Sequence, residues 1–384
     1  MIFLYLILVI EISSGLKVTE HGKISRIAFG SCANQFGITN PDIFYSIINW
    51  KPDIYVWLGD IVYADRFSLP MAFSPTNEKI WRSKYNSFKT SIEYQALINS
   101  TMITGVYDDH DYGINDGDKN FIYKEIGKKL VLEFLDDGSI RDHGGVYHSF
   151  TFEDLKLILL DIRWFRDSKL DKEGDSLGEE QWVWLEKELQ TGERVKIIGN
   201  GLQVNTFDRN SPAEKWHEKS RLRLWGLLDK YPGVLLLTGD VHYGELLRIP
   251  CSKHIVYEIT SSGLTHSVFT TFNMIGWYFV NLWQPFNFNI GKKFLYKNFG
   301  TIEIDWETQL IHVSVRDTFS VPQIEYTINI NELYETNPDI KFCQENFKAL
   351  KYKHILGTFF IILLPFWINF LAILIFLRKY SNSY

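Results

Sequence analysis

The chain has no excess of positive charge. Its 384 residues carry a net charge of −6 and no basic stripe, which argues against a nucleic-acid partner. Internal repeats and low-complexity tracts are absent too, so a solenoid or a disordered scaffold is not expected. Cysteine is scarce, with Cys32, Cys251 and Cys343 the only three. In an oxidising compartment Cys251 and Cys343 are a possible disulfide, which leaves Cys32 over and asks for a reason. Aromatic residues, by contrast, are abundant and suit a large packed core.

The two ends carry the strongest compositional signals. Residues 2–10 are apolar and Ser13-Ser14-Gly15 follows, the pattern of a secretory signal peptide over residues 1–15, although no basic residue precedes the apolar run. Residues 355–377 form a long apolar stretch. As a helix it covers roughly 34 Å, enough for a hydrocarbon core of roughly 30 Å. The expected organisation is a signal peptide at 1–15, a folded domain at 16–335 and a juxtamembrane linker at 336–354. A transmembrane helix at 355–377 and a cytoplasmic tail at 378–384 complete it. Lysines lie on both sides of the helix, so orientation follows from the signal peptide, which puts the body in the lumen or outside the cell. Asn99-Ser100-Thr101 is then a usable glycosylation site at Asn99.

The body is organised around residues 53–65, an apolar β-rich run that climbs to Gly59-Asp60 and continues through Tyr63 to Asp65. Such a run reads as a strand buried on both faces, and ligands of open α/β sheets collect beyond the carboxyl ends of such strands. A turn that uses Gly-Asp for its backbone habits explains one such motif equally well. The arrangement recurs, however. Strands are expected at 24–30, 101–106, 195–198, 234–237 and 254–259, with hairpins at 147–160 and 301–316. Helices are expected after Asn40-Pro41, within 76–97, at 178–189 closed by Gly192, and at 213–228. This alternation predicts an α/β domain with mixed sheets. An aromatic segment at 267–297 reads as a lid or covered loop, or as a contact with the anchoring membrane.

Cys32, Asp60, Asp109, Asp161, Asn200 and Asp240 each follow a different apolar run and are expected to meet at one sheet edge. Four carboxylates gathered there repel one another unless cations hold them. His110, set among aspartates, is either a loop residue or an acid toward a leaving oxygen. Arg163 and Arg166 either grip an anionic substrate or pair with nearby carboxylates.

Six stretches in order resemble the PhoD-like (alkaline phosphatase D) metallophosphatases. They are Phe29-Gly30-Ser31-Cys32, residues 57–63, Asp108-Asp109-His110-Asp111, Leu160-Asp161-Ile162-Arg163, residues 177–185, and Thr238-Gly239-Asp240-Val241-His242; residues 258–263 match as well. The resemblance implies a four-layer sandwich of two mixed β-sheets flanked by helices. It implies ferric iron on Cys32, Asp60, Tyr63 and His242, and a second ion, calcium or another divalent metal, on Asp60, Asp109 and Asp240. Asn200 or Gln203 completes the second site. The implied reaction is hydrolysis of phosphomonoesters or phosphodiesters by a metal-activated hydroxide, with Arg163 on the equatorial oxygens and His110 at the leaving group. The alternatives are a lipid-directed phosphodiesterase and a catalytically silent metal-site ectodomain used for binding.

Overall fold

The computed structural model describes residues 24–34, 42–68, 72–136, 144–205, 214–249, 252–271, 280, 289–338, 363, 367, 368, 370 and 371. The signal peptide, Cys251, Cys343 and most of 355–377 lie outside the described residues. Among those described, no helix is long and apolar enough to cross a membrane.

Short runs of β-branched, aromatic and leucine residues make the strands. The first sheet contains β1 (Arg26–Gly30), β2 (Ile54–Leu58), β5 (Met102–Val106), β12 (Phe299–Asp305), β13 (Leu310–Arg316) and β14 (Pro322–Asn329), in the order β14-β13-β12-β1-β2-β5. The second contains β6 (His148–Phe152), β7 (Leu155–Leu159), β8 (Val195–Gly199), β9 (Val234–Thr238), β10 (Gly244–Arg248) and β11 (Tyr257–Ser261), in the order β10-β11-β9-β8-β7-β6. In the first sheet β1, β2 and β5 run parallel and β12, β13 and β14 join antiparallel on the β1 side; in the second the four central strands are parallel and the two outer ones antiparallel, so both sheets are mixed. A small hairpin pairs β3 (Arg66–Ser68) with β4 (Ala72–Ser74).

Side chains alternate across a strand, and both faces of the central strands are buried. In β9, Leu235 and Leu237 join the core shared by the two sheets, while Val234 and Leu236 join a separate cluster. That second cluster includes Leu185 of α6 (Gly178–Leu189) and Leu224 and Leu228 of α7 (Glu218–Lys230). Outside the first sheet, Trp57 meets Phe44 of α1 (Asp42–Trp50), Phe88 of α2 (Glu78–Lys89), Tyr94 of α3 (Ile92–Ser100) and Phe134 of α5 (Lys124–Leu135). Helix, sheet, sheet, helix is therefore the layering, as expected.

Local differences from the sequence reading have local reasons. Helix α5 was not anticipated, since its first turns hold Lys124, Gly127, Lys128 and Lys129 and only the last two turns are apolar. Gly127 lets the helix approach α4 (Asp109–Tyr112), because a Cβ there would lie 2.5 Å from the Tyr112 carbonyl oxygen. Helix α6 spans 178–189 as expected but is capped by Gln190 rather than closed by Gly192, and α7 begins at Glu218 rather than 213. Strand β14 was missed because it is an edge strand that opens with proline and alternates Ile324 and Ile328 with polar residues. Asn99 stands exposed in α3.

Register brings the strand ends level. Leu58 pairs with Val106, and Gly199 pairs with both Leu159 and Leu237. The residues that follow emerge together at the carboxyl edges of the two packed sheets.

Candidate metal centre

Asp60, Asp108 and Asp109 follow the ends of β2 and β5; Asn200 follows β8, and Asp240 and His242 follow β9. Cys32 follows β1 and Ser262 follows β11. These turns are tight. Cys32, Asp60, Asp240 and His242 have φ of 60°, 52°, 69° and 62°, four of the ten non-glycine residues with positive φ among those described. Backbone strain of this kind persists where the surrounding structure enforces it, and it gathers at functional sites. Gly59, at φ +84°, shows the enforcement, since a Cβ there would lie 2.3 Å from the Asp108 Cβ.

The first group of donors crosses between the sheets. Cys32, Asp60 and His242 each bring a ligand atom within 4.8 Å of the other two. The Cys32 thiol lies 3.4 Å from Asp60 Oδ2 and 3.1 Å from Ser262 Oγ, which also accepts the His242 N–H at 2.8 Å. Tyr63 Oη stands 3.2 Å from His242 Nε2. Burial, then Asp60, push the Cys32 thiol well above its usual range; burial, then Cys32 and Asp60, do the same to the Tyr63 phenol. Burial and the neighbouring His266 and His110 hold His242 well below the usual histidine range, so it is a neutral donor. A thiol, a carboxylate, a phenol and a neutral imidazole around one point form a mixed hard and soft donor set suited to a transition metal. A cation supplies the charge that lets the acidic donors ionise in this buried place. The donor set therefore fits a metal ion.

A second group adjoins it. Asp108, Asp109 and Asp240 bring carboxylate oxygens within 4.8 Å of one another, and oxygens of Asp60 and Asp109 come equally close to each other and to a ring nitrogen of His110. Burial, then Asp108 and Asp109, raise the Asp240 carboxyl well above the normal range. Asp60 is likewise raised well above it by burial, although His110 pulls in the opposite direction. Burial also acts against ionisation of Asp109, but His110, Arg163 and the backbone N–H groups of Asp116 and His110 outweigh it and bring the carboxyl down to about 2. An all-oxygen group of this kind suits a hard divalent cation.

His110 sits beside both groups. Its Nδ1 lies 2.9 Å from Asp65 Oδ1, and Asp65 Oδ2 accepts the Asn115 N–H at 2.9 Å. Burial opposes the imidazolium, but Asp109, Asp60 and Asp65 prevail and raise His110 well above the usual histidine range. Its ring lies tilted against Tyr63, with centroids 4.2 Å apart, and against Phe73 of the small hairpin at 5.6 Å.

The remaining sequence-derived residues divide. Arg163 and Arg166 are both buried, and both pair with carboxylates. Arg163 Nε meets Asp108 Oδ1 at 2.6 Å, its Nη1 meets Glu214 Oε2 at 2.5 Å, and Arg166 Nε lies 2.8 Å from Glu214 Oε1. Of the two readings offered by the sequence, this is the pairing one. Asp161 stands apart from the metal-type groups. Its side chain accepts N–H groups of Val146, Arg163 and Trp164 and the Tyr107 hydroxyl, and so holds the turn that carries Arg163. Asn200 Oδ1 already accepts from Leu202 N at 3.0 Å and Trp216 Nε1 at 3.3 Å, so the unpartnered atom of its amide is Nδ2. Gln203 faces Glu245, Thr260 and Tyr243 beneath the second sheet.

Sequence reasoning missed Glu214, Ser262 and His266. Glu214 follows no apolar run in the sequence. Ser262 lay within a matched stretch without a role, and His266, whose ring lies 4.3 Å from His242 and 5.1 Å from Tyr63, carried no signal beyond its residue type.

The sequence model of the PhoD-like phosphatase family matches residues 131–315. No curated protein matches the chain. Among solved structures, PhoD aligns with a TM-score of 0.62 and 16% identity, covering 80% of this chain and 69% of PhoD. The purple acid phosphatase PPD1 from yellow lupin (Lupinus luteus) seeds aligns with a TM-score of 0.57 and 13% identity, covering 83% of this chain and 56% of that one. At these identities the likeness to solved structures is one of fold.

Proposed function

We propose, from the match of residues 131–315 to the PhoD-like phosphatase family, that the chain is a metal-dependent phosphohydrolase acting at the joined strand ends. The observation that carries this reading is the meeting of Cys32, Asp60 and His242, brought from three strand ends in two sheets to within 4.8 Å. Bound metal ions supply a Lewis-acidic clamp and a hydroxide at neutral pH. In this reading Cys32, Asp60, Tyr63 and His242 hold ferric iron, while Asp60, Asp109 and Asp240 hold calcium or another divalent ion.

The chain's own residues do the rest. Asp65 fixes His110 Nδ1, which leaves Nε2 to donate a proton to the leaving oxygen. The raised basicity of His110 keeps that proton in place near neutral pH. Arg163 and Arg166 act through the carboxylates they hold and leave the phosphoryl oxygens to the metal side of the site. The substrate class is a phosphomonoester or phosphodiester. A membrane tether at 355–377, with the body outside the cytosol, belongs to the same reading. It is supported by Trp367, Ile368, Phe370 and Leu371, apolar residues on helical backbone that are each more than half exposed.

Metal analysis of the purified chain with its absorption spectrum is the test. A tyrosinate–iron band in the visible range is expected, lost in Tyr63→Phe, together with hydrolysis of an aryl phosphate or a bis-aryl phosphate. Normal hydrolysis by a chain free of every transition metal would refute the reading. Faster turnover of a vesicle-borne phospholipid than of either soluble ester would move the substrate to the membrane.

A further inference from the structure

At the second cation site three carboxylates, Asp60, Asp109 and Asp240, are fewer residues than a calcium-type cation, with its roughly 6–8 oxygen ligands, usually draws on. Asn200, placed there by its strand-end position, has its oxygen engaged by Leu202 N and Trp216 Nε1. Reversing the amide would set its NH2 against those same two donors, so the bonding fixes its orientation. What Asn200 leaves without a partner among the described residues is an N–H group, and an N–H group does not bind a cation.

Asp108 has the complementary arrangement. It is fully buried, and it brings an oxygen within 4.8 Å of Asp109 and Asp240. Its two oxygens are divided: Oδ1 accepts the Arg163 Nε–H at 2.6 Å, with Nη2 in ion-pair contact at 2.5 Å, while Oδ2 accepts no hydrogen bond among the described residues. A buried carboxylate oxygen without a donor is costly, and native structures seldom leave one without a reason. The close approach of Gly201, where a Cβ would lie 2.8 Å from Oδ2, keeps side-chain atoms of that turn away from it.

We propose that Asp108 Oδ2 is a ligand of the second cation, with Arg163 on Oδ1 as the group that aims it. Asn200 then serves the site only by fixing the turn after β8. This rests on the two-metal reading above. Arg163 becomes a positioning residue: an outer partner that orients a ligating carboxylate typically changes metal affinity by 10–100-fold when removed.

The test is calorimetric titration of Ca2+, and separately Mn2+, into the full chain loaded with iron and stripped of other metals. Asp108→Asn retains the shape and an oxygen for Arg163, and it is expected to weaken divalent binding at least tenfold. The visible band of the iron site and the melting temperature of the divalent-free protein should stay as in the wild type. Asn200→Ser is expected to bind both ions within threefold of the wild type. Unchanged divalent affinity in Asp108→Asn overturns the assignment while leaving the two-metal reading intact. So does a lowered melting temperature with unchanged affinity, which would mark Asp108 as a purely structural partner of Arg163. A wild-type chain that takes up iron but no divalent ion overturns both.

Discussion

His110 shows how much of this site depends on single contacts. With Asp65 on one ring nitrogen and two further carboxylates nearby, its proton is retained at a pH where an exposed histidine would have lost it. A general acid matters most when the leaving group is poor. His110→Gln should therefore slow hydrolysis of an alkyl phosphate by about 10²–10⁴-fold. A nitrophenyl ester, whose leaving group needs no proton, should lose far less, and steady-state kcat over a series of leaving groups checks this. A uniform loss across the series would remove the acid role. Tyr63 belongs at the same scale, because in the proposed iron site one hydroxyl decides whether there is a visible band.

Turns after strands make up the element scale. Gly59 has φ +84° and touches the Asp108 side chain, so Gly59→Ala forces both backbone strain and a clash. A loss of about 2 kcal/mol or more is expected, read as a lowered urea midpoint at constant slope. Gly192 is the contrast. A Cβ there meets nothing within 4 Å, and Gly192→Ala should stay within about 0.5 kcal/mol of the wild type. The same turns were the legible part of the sequence, because an apolar run ending in Gly-Asp is visible without coordinates. Helix α5 was not legible, since its polar first turns hide an apolar face that only packing against α4 and the first sheet selects. Edge strand β14 was hidden by its opening proline.

Across the whole molecule, the site joins two sheets through groups that repel one another when no cation is bound. Burial raises Asp60 and Asp240 well above the normal carboxyl range and takes Asp108 to about 8, while Asp109 falls to about 2. An unfolded aspartate titrates near 3.9. Between about pH 4 and pH 8 the metal-free folded protein thus binds more protons at Asp60, Asp108 and Asp240 than the unfolded chain does. Its stability must fall as pH rises through that window. Asp109 adds nothing there, being ionised in both states. Cations that bind only the folded form reverse the loss. The gain in melting temperature on adding metal should therefore grow from pH 5 to pH 8; a gain independent of pH would show that these carboxyls do not hold the ions.

What the sequence by itself determined was the set of strand ends and the residue types placed there: Cys32, Asp60, Tyr63, Asp109, His110, Asp240 and His242. Backbone habit and hydrophobic period act locally, and local information suffices for such placements. Only the tertiary structure decided which polar atoms remain free. Arg163 and Arg166 are taken by Asp108 and Glu214, Asn200 Oδ1 by Leu202 and Trp216, and Asp161 by the turn it closes. Hydrogen-bond partners come from segments far apart in the chain, and a side chain's chemistry depends on what is left after those partners are satisfied.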